Sequence, residues 1–378
     1  MKNKNILFNL NTFPSVGNII PLVNKIKYWQ KSGYFVTVLA SHKIILKLRA
    51  EKSLTPIKTI LIDGRVETSN KVGFTLECLR RNIISLKYIK EIERVKFPII
   101  YTISSVLDLV LLPYILKLRR NEFIWLTVFD NTVPFTGTGN KLIRLLNWLF
   151  FKLGTRIIKK ADKIFAISEG LKQYLVKKGF RKDQIVQTGN GVEVDLIKKA
   201  KKIESIKIDA LFTGRINEAK GIYEMLKVLR IVKRKFSNFK LAMMGDGDEK
   251  TLQNFRDRIN EMKLSDNIVF LGYKVGQEKF DLIKSSKSFW FLSETEGFPQ
   301  ALMEAVSSGL KCFVYYLPAY DYYKNNELCI FDQKDSRAVA CAVIDLFDKK
   351  DFNNKAGRAL LSTFSWLRFA RIELESIR

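Results

Sequence analysis

The sequence predicts an α/β protein made of two doubly wound parallel-sheet domains. Three observations carry this. Short apolar strand-like runs alternate with helical patterns through the first half, a polar stretch interrupts them, and the alternation then starts again. At 378 residues the chain is long enough for two domains of ordinary size. In order, 6–10, 35–39, 59–62, 99–103, 123–128 and 163–167 read as strands, with helical segments between most of them. After Gly189-Asn190-Gly191 the polar run 198–204 reads as a connector. Strands follow at 208–213, 241–244, 268–271, 289–292, 312–316 and 329–331. The expected domains are 1–197 and 205–363. The last segment, 364–378, is an amphipathic helix with no strand to pair with, expected to return to the first domain. In such sheets ligands bind at the carboxyl ends of the strands.

Composition narrows the function classes. Hydrophobic residues make up 47% of the chain, which argues against disorder. Cys78, Cys312, Cys329 and Cys341 show no paired or metal-ligand spacing, and His42 is the one histidine, so no metal site is expected. Reduced thiols in a cytoplasmic protein are the simplest account. No signal peptide is evident, and 97–116 carries Asp108 and Pro113, so it reads as a strand and helix rather than a membrane span.

Charge is uneven. Residues 1–200 hold 35 Lys/Arg against 14 Asp/Glu, the remainder 30 against 24, and the first 50 residues hold no acid. That asymmetry suits a polyanion, an anionic membrane or an acidic substrate facing the first half. No recognition motif or basic tail accompanies it, so nucleic acid is not the expected partner.

The run from Glu296 to Glu304 is the most informative stretch. Gly297, Phe298 and Pro299 separate Glu296 from a helical pattern beginning at Gln300 and Ala301, and Pro299 suits a first helical turn. Free N–H groups there make an anion site, and the flanking carboxylates can hold hydroxyls. A phosphate between sugars fits that arrangement. Upstream, Gly214-Arg215 ends a strand and Lys220-Gly221 opens the next helix. Two cations at a strand-to-helix loop suit a diphosphate. Gly245-Asp246-Gly247 is a turn that admits either a ligand or a neighbouring loop. Tyr273 and Lys274 sit where a base could stack and pair.

In this order, Phe212-Thr213-Gly214-Arg215 with Lys220-Gly221, then Gly245-Asp246-Gly247, Val269-Phe270-Leu271-Gly272-Tyr273 and the two glutamates eight apart resemble the retaining glycosyltransferases of family 4. Ala161-Asp162-Lys163, Ile167-Ser168-Glu169 and Gly189-Asn190-Gly191-Val192 also look like that family. The resemblance implies the GT-B fold, two Rossmann-like domains with the closing helix crossing back. It implies that Arg215 and Lys220 neutralise the nucleotide diphosphate in place of a metal. Glu304 would accept ribose hydroxyls, Glu296 would hold the donor sugar, and the backbone of Phe298, Gln300 and Ala301 would cradle phosphate. Gly17, in the loop 14–18 after the first strand, matches the family's amino-terminal glycine loop. Two departures stand out. Phe129-Asp130-Asn131 replaces the family's His-Asp pair, leaving Asp130 as a catalytic candidate without its histidine. Residues 318–323 replace a Gly-Gly turn and a Glu.

Two basic stretches, 79–96 and 141–160, fit amphipathic helices. Either could lie on an anionic bilayer, the first favoured over the second, and for the second an ordinary surface helix fits equally well. The expected activity is therefore a retaining, metal-independent transfer of sugar from a UDP- or GDP-sugar. The expected acceptor is a lipid-linked or polymeric glycan, reached by a peripheral protein on the inner face of the cell membrane. A nucleotide-sugar epimerase of the same fold and a catalytically impaired relative are the alternatives.

Overall fold

The computed structural model describes residues 4–10, 16–51, 53–62, 71–119, 122–133, 135, 141–317, 320 and 328–377. They divide into two compact units, 1–190 with 369–378, and 191–368. Each is built on one parallel sheet.

The first unit holds β1 (Asn5–Leu10), β2 (Phe35–Ser41), β3 (Lys58–Ile62), β4 (Ile99–Thr102), β5 (Ile124–Phe129), β6 (Lys163–Ala166) and β7 (Ile185–Gln187) in the order β3-β2-β1-β4-β5-β6-β7. Strand order reverses between β1 and β4, the doubly wound pattern. The central strands β1, β4, β5 and β6 are almost wholly buried, as in parallel sheets covered on both faces. β1 is buried from Ile6 to Leu10, and Phe8 stacks on Tyr101 at 4.8 Å. The strand β7 escaped the sequence reading, since three residues with a polar last position give no periodic signal.

A buried polar cluster crosses this core. Lys25, on the helix Val16–Lys31, pairs with Glu373 on the last helix, Trp366–Glu375, and Tyr101 donates to the other Glu373 oxygen at 2.9 Å. Burial, with the Glu373 charge and hydrogen bond adding to it, pushes the Tyr101 phenol well above its usual value.

The second unit holds β8 (Ile208–Thr213), β9 (Leu241–Met244), β10 (Ile268–Gly272), β11 (Ser286–Phe291), β12 (Lys311–Tyr315) and β13 (Leu328–Phe331) in the order β10-β9-β8-β11-β12-β13. Its order reverses between β8 and β11, so the loops after those two strands flank the ligand-binding end.

Three expectations need correction. The division falls at 190/191 rather than at 197–205. The intended connector is fastened to the second unit instead, because Lys201 N–H donates to Asp281, Ile203 N–H to Ser285, and Gln277 to the Leu196 carbonyl. Gly17 lies in the first turn of the helix Val16–Lys31, not in a loop, while 11–15 fall outside the described residues. The stretch 79–96 is not one surface helix. It breaks into Lys71–Leu86 and Ile89–Val95, and Arg81 turns inward to bond Asp108 at 2.6 Å beside Asn82. A cation spent on a buried carboxylate is not available to a lipid surface.

Candidate functional site

The site in the second unit begins with backbone crowding. Gly245 has φ +153°, and a Cβ there would lie 1.8 Å from the Gly214 carbonyl oxygen. Gly221 has φ +71°, and its Cβ would lie 1.9 Å from the Leu292 carbonyl oxygen. Both positions require glycine so that the loops after β8, β9 and β11 can touch. Gly247 faces the Ile216 carbonyl in the same way. A neighbouring loop thus accounts for Gly245 and Gly247, and Gly214 supplies the backbone that Gly245 meets.

This crowding sets the cations. Asn217 caps a short 3-10 turn, Glu218–Lys220, by accepting from the Lys220 N–H. The Glu294 N–H donates to Ala219 O at 3.0 Å and ties that turn to the segment after β11. Lys220 Nζ then lies 2.5 Å from Glu296 Oε1, an approach the sequence reading did not foresee. Arg215 is exposed and has no ion-pair partner among the described residues. Tyr320, buried, has no hydrogen-bond partner for its hydroxyl among the described residues. Burial, with the Glu296 charge adding to it, pushes that phenol up, which places Tyr320 beside Glu296. The rest of the replaced segment, 318–319 and 321–323, lies outside the described residues.

The helix Gln300–Ser307 begins one residue later than Pro299, which caps it with φ −82° and ψ 67°. Its first turn leaves N–H groups without intrahelical acceptors. The Gln300 N–H is an exception, closing a tight turn on the Phe298 carbonyl at 2.9 Å, and the Gln300 side chain donates to the Gly191 carbonyl. Gln300 is therefore occupied by the fold, while Gly297, Phe298 and Ala301 keep their places along the run. Glu304 is 2% exposed on the buried face of this helix. Lys279, from the helix Gly276–Ser285, places Nζ 2.5 Å from Glu304 Oε2.

Lys279 was missed in the sequence. A signal existed: four residues before the buried Ile283 and next to the buried Phe280, it falls on the apolar face of its helix. Tyr273 is 52% exposed after β10, and its phenol is raised by burial first, lowered by Lys279 and raised by Glu304. Those charges make Tyr273, Lys279 and Glu304 neighbours. Lys274 instead pairs with Glu278 at 2.6 Å one helical turn on, so its side chain does not join them.

In the first unit, Asp130 is half-buried directly after β5. The Ser104 hydroxyl, just past β4, donates to its Oδ1 at 2.7 Å. Burial raises the carboxyl above the ordinary aspartate value, against lowering by the Ser104 and backbone hydrogen bonds. Among the described residues no group of three or more His, Cys, Asp or Glu could hold a metal.

Residues 193–360 match the family described as glycosyl transferases group 1, and they contain every motif residue from Gly214 to Glu304. The chain carries a group 1 glycosyltransferase domain. An uncharacterized glycosyltransferase of Methanocaldococcus jannaschii is 28% identical over 214 residues, 54% of this chain and 51% of that protein. A lipopolysaccharide 1,6-galactosyltransferase of Escherichia coli K12 is 28% identical over 179 residues, 44% of this chain and 48% of that protein. The chain thus spans about half the length of these curated relatives. The crystal structure of the Anabaena protein HepE with UDP superposes with a TM-score of 0.76 at 12% identity, covering 99% of both chains. Together with the two parallel sheets, that likeness gives this chain the GT-B fold.

Proposed function

We propose that this chain is a retaining, metal-independent glycosyltransferase that moves a sugar from a nucleotide-diphosphate sugar to a lipid-linked or polymeric glycan. The Lys220–Glu296 pair, with the exposed Arg215 in the same loop after β8, carries the reading. An ammonium held by a carboxylate is fixed in direction, and a fixed cation stabilises a leaving diphosphate without reorganising. Arg215 grips two phosphate oxygens and Lys220 a third. Glu296 keeps one oxygen for the sugar hydroxyls. The bond from the anomeric carbon to the phosphate oxygen breaks, and the acceptor oxygen bonds that carbon on the same face. The acceptor proton passes to the departing diphosphate. UDP in HepE and the lipopolysaccharide chemistry of the Escherichia coli relative support a UDP-sugar and a surface-glycan acceptor as the first pair to test.

Contact with an anionic membrane is part of the proposal, supported by the helix Lys141–Ile157. It contains no acidic residue and exposes Leu142, Leu145, Leu149 and Leu153 together with Lys141, Lys152 and Arg156 on one side. Leucines flanked by cations suit the headgroup boundary. Among the described residues no helix is long and apolar enough to cross a membrane. Flotation with anionic liposomes, lost when Leu145 and Leu149 are both changed to Glu, is the expected result. Equal flotation of that double variant would remove the membrane claim.

The test of the activity is transfer from radiolabelled UDP-, GDP- and dTDP-sugars to lipid extract, with the product anomer read by NMR. Lys220→Met is expected to cut transfer by roughly 10²–10³ and Glu304→Ala to abolish it. Normal turnover in both variants would sink the proposal.

A further inference from the structure

Glu304 has a partner within the protein that the motif does not foretell. Its carboxylate and the Lys279 ammonium are both withdrawn from solvent, at 2% and 9% exposure, and 2.5 Å apart. Removing two charges from water costs several kcal/mol per ion, which only close pairing and further hydrogen bonds offset. Here Glu304 Oε2 lacks them among the described residues. The approach is close but lies off the hydrogen-bonding direction, so Glu304 Oε2 has no hydrogen bond within the described residues. Lys279, an ammonium with three donors, has no second carboxylate among the described residues, and the Phe280 ring lies 5.4 Å from its Nζ. A buried ion pair with an unused acceptor lone pair points to a ligand hydroxyl that completes it. Tyr273, beside the pair, is half-exposed.

We propose that Lys279 is the positioning residue for nucleoside recognition: it supplies the counter-charge and fixes the direction of the Glu304 carboxylate so that this accepts the ribose hydroxyls of the bound nucleotide. The inference rests on the glycosyltransferase reading, and it adds a residue that reads the sugar of the nucleoside rather than the phosphates. Lys279 touches Glu304 and acts through it. Without the ammonium, the carboxylate loses both its balancing charge and its fixed rotamer, and the 2′-hydroxyl loses its acceptor. The diphosphate end, held by Arg215 and Lys220, is untouched by that change.

The distinguishing experiment compares UDP, 2′-deoxy-UDP and inorganic pyrophosphate by calorimetry on the full chain. A hydrogen bond to a charged group gives wild type a preference for UDP over 2′-deoxy-UDP of about tenfold or more. Lys279→Met is expected to bring the two nucleotides within about threefold of each other while leaving pyrophosphate affinity unchanged. Lys279→Arg, which keeps the charge, is expected to retain most of the preference. A purely structural lysine would weaken all three ligands together and lower Tm, leaving the ratio alone. Should Lys279→Met not fold, Lys279→Gln serves the same comparison. A UDP preference that survives loss of the charge overturns the inference. If wild type binds neither nucleotide nor pyrophosphate, the glycosyltransferase reading falls with it, and the two failures are told apart by that control.

Discussion

The two units treat buried charge in opposite ways. In the second, Lys220 meets Glu296 in the loops after β8 and β11, and Lys279 meets Glu304 between two helices, which leaves Glu304 Oε2 without a hydrogen bond among the described residues. In the first, the buried pair Lys25–Glu373 lies within the core and is closed off by Tyr101, while the carboxyl at the sheet's end, Asp130, is held by a serine hydroxyl and a backbone N–H and has no cation partner among the described residues. A paired site suits a charged donor, which displaces or completes the pair. A lone half-buried carboxyl suits a neutral hydroxyl, which needs an acceptor rather than a counter-ion. The same residue types close the core around Glu373 in one unit and leave the Glu304 Oε2 acceptor without a hydrogen bond among the described residues in the other, and the proposed recognition role rests on that difference.

The largest expected effect tests the closed pair. Glu373→Ala leaves the Lys25 ammonium buried without its partner, which costs about 3–5 kcal/mol in comparable cases. Denaturant unfolding should show that loss, and the double change Lys25→Met with Glu373→Leu should restore most of it. A single variant as stable as wild type would mean that Lys25 escapes to water and that the pair is no part of the core.

Next comes the open pair. Lys220→Met is expected to reduce transfer by roughly 10²–10³, the usual cost of removing one preorganised charge from a transition state. Its effect on unfolding should be smaller than that of Glu373→Ala, because Lys220 keeps 25% of its side chain exposed, although Glu296, at 7%, loses its counter-charge. A variant that loses stability but keeps its rate would reverse the contrast between the units.

The candidate site in the second unit was the more legible in sequence because its proposed residues are local. Gly214, Arg215, Lys220 and the run Glu296 to Glu304 each sit within a few residues of a strand end, so periodicity alone places them. What stayed hidden was non-local. Lys220 meets Glu296 across 76 positions, Lys279 meets Glu304 from a different helix, and Gly245 needs its missing Cβ because of the Gly214 carbonyl. In the first unit the strands were legible and the charges were not. Arg81 looks like a surface cation until Asp108 is found beside it, and Lys25 until Glu373 arrives from the far end of the chain.

Asp130 gives a smaller, pH-dependent effect. Its carboxyl titrates above the ordinary aspartate value in the folded protein because burial disfavours the charge. Between those two values the native state binds more protons than the unfolded chain, so stability falls as pH rises through that window and the penalty is complete above it. Asp130→Asn removes the penalty and still lets Ser104 donate. The variant should therefore melt higher than wild type at pH 7.5, by a margin that shrinks as pH falls toward the ordinary aspartate value. If Asp130 serves the acceptor, the same variant loses transfer while keeping UDP affinity. A margin that grows on acidification would mean that the carboxyl is stabilised in its charged form, and that the contrast between the units is wrong.

The smallest effect separates two lysines five residues apart. Lys274 and Lys279 flank the start of one helix, and each has a glutamate at hydrogen-bonding distance. Lys274 pairs with Glu278 on the surface, one turn along, where such pairs contribute about 0.3–0.5 kcal/mol. Lys279 pairs with Glu304 in the interior, where neither charge has water to fall back on. Lys274→Ala is accordingly expected to change UDP affinity by less than about twofold and Tm by about a degree or two. Lys279→Met should erase the preference for ribose. Calorimetry on the two variants side by side isolates burial as the cause, since charge, residue type and sequence neighbourhood are nearly shared. A large loss in Lys274→Ala would return that side chain to the nucleoside and show that the pair with Glu278 opens when ligand binds.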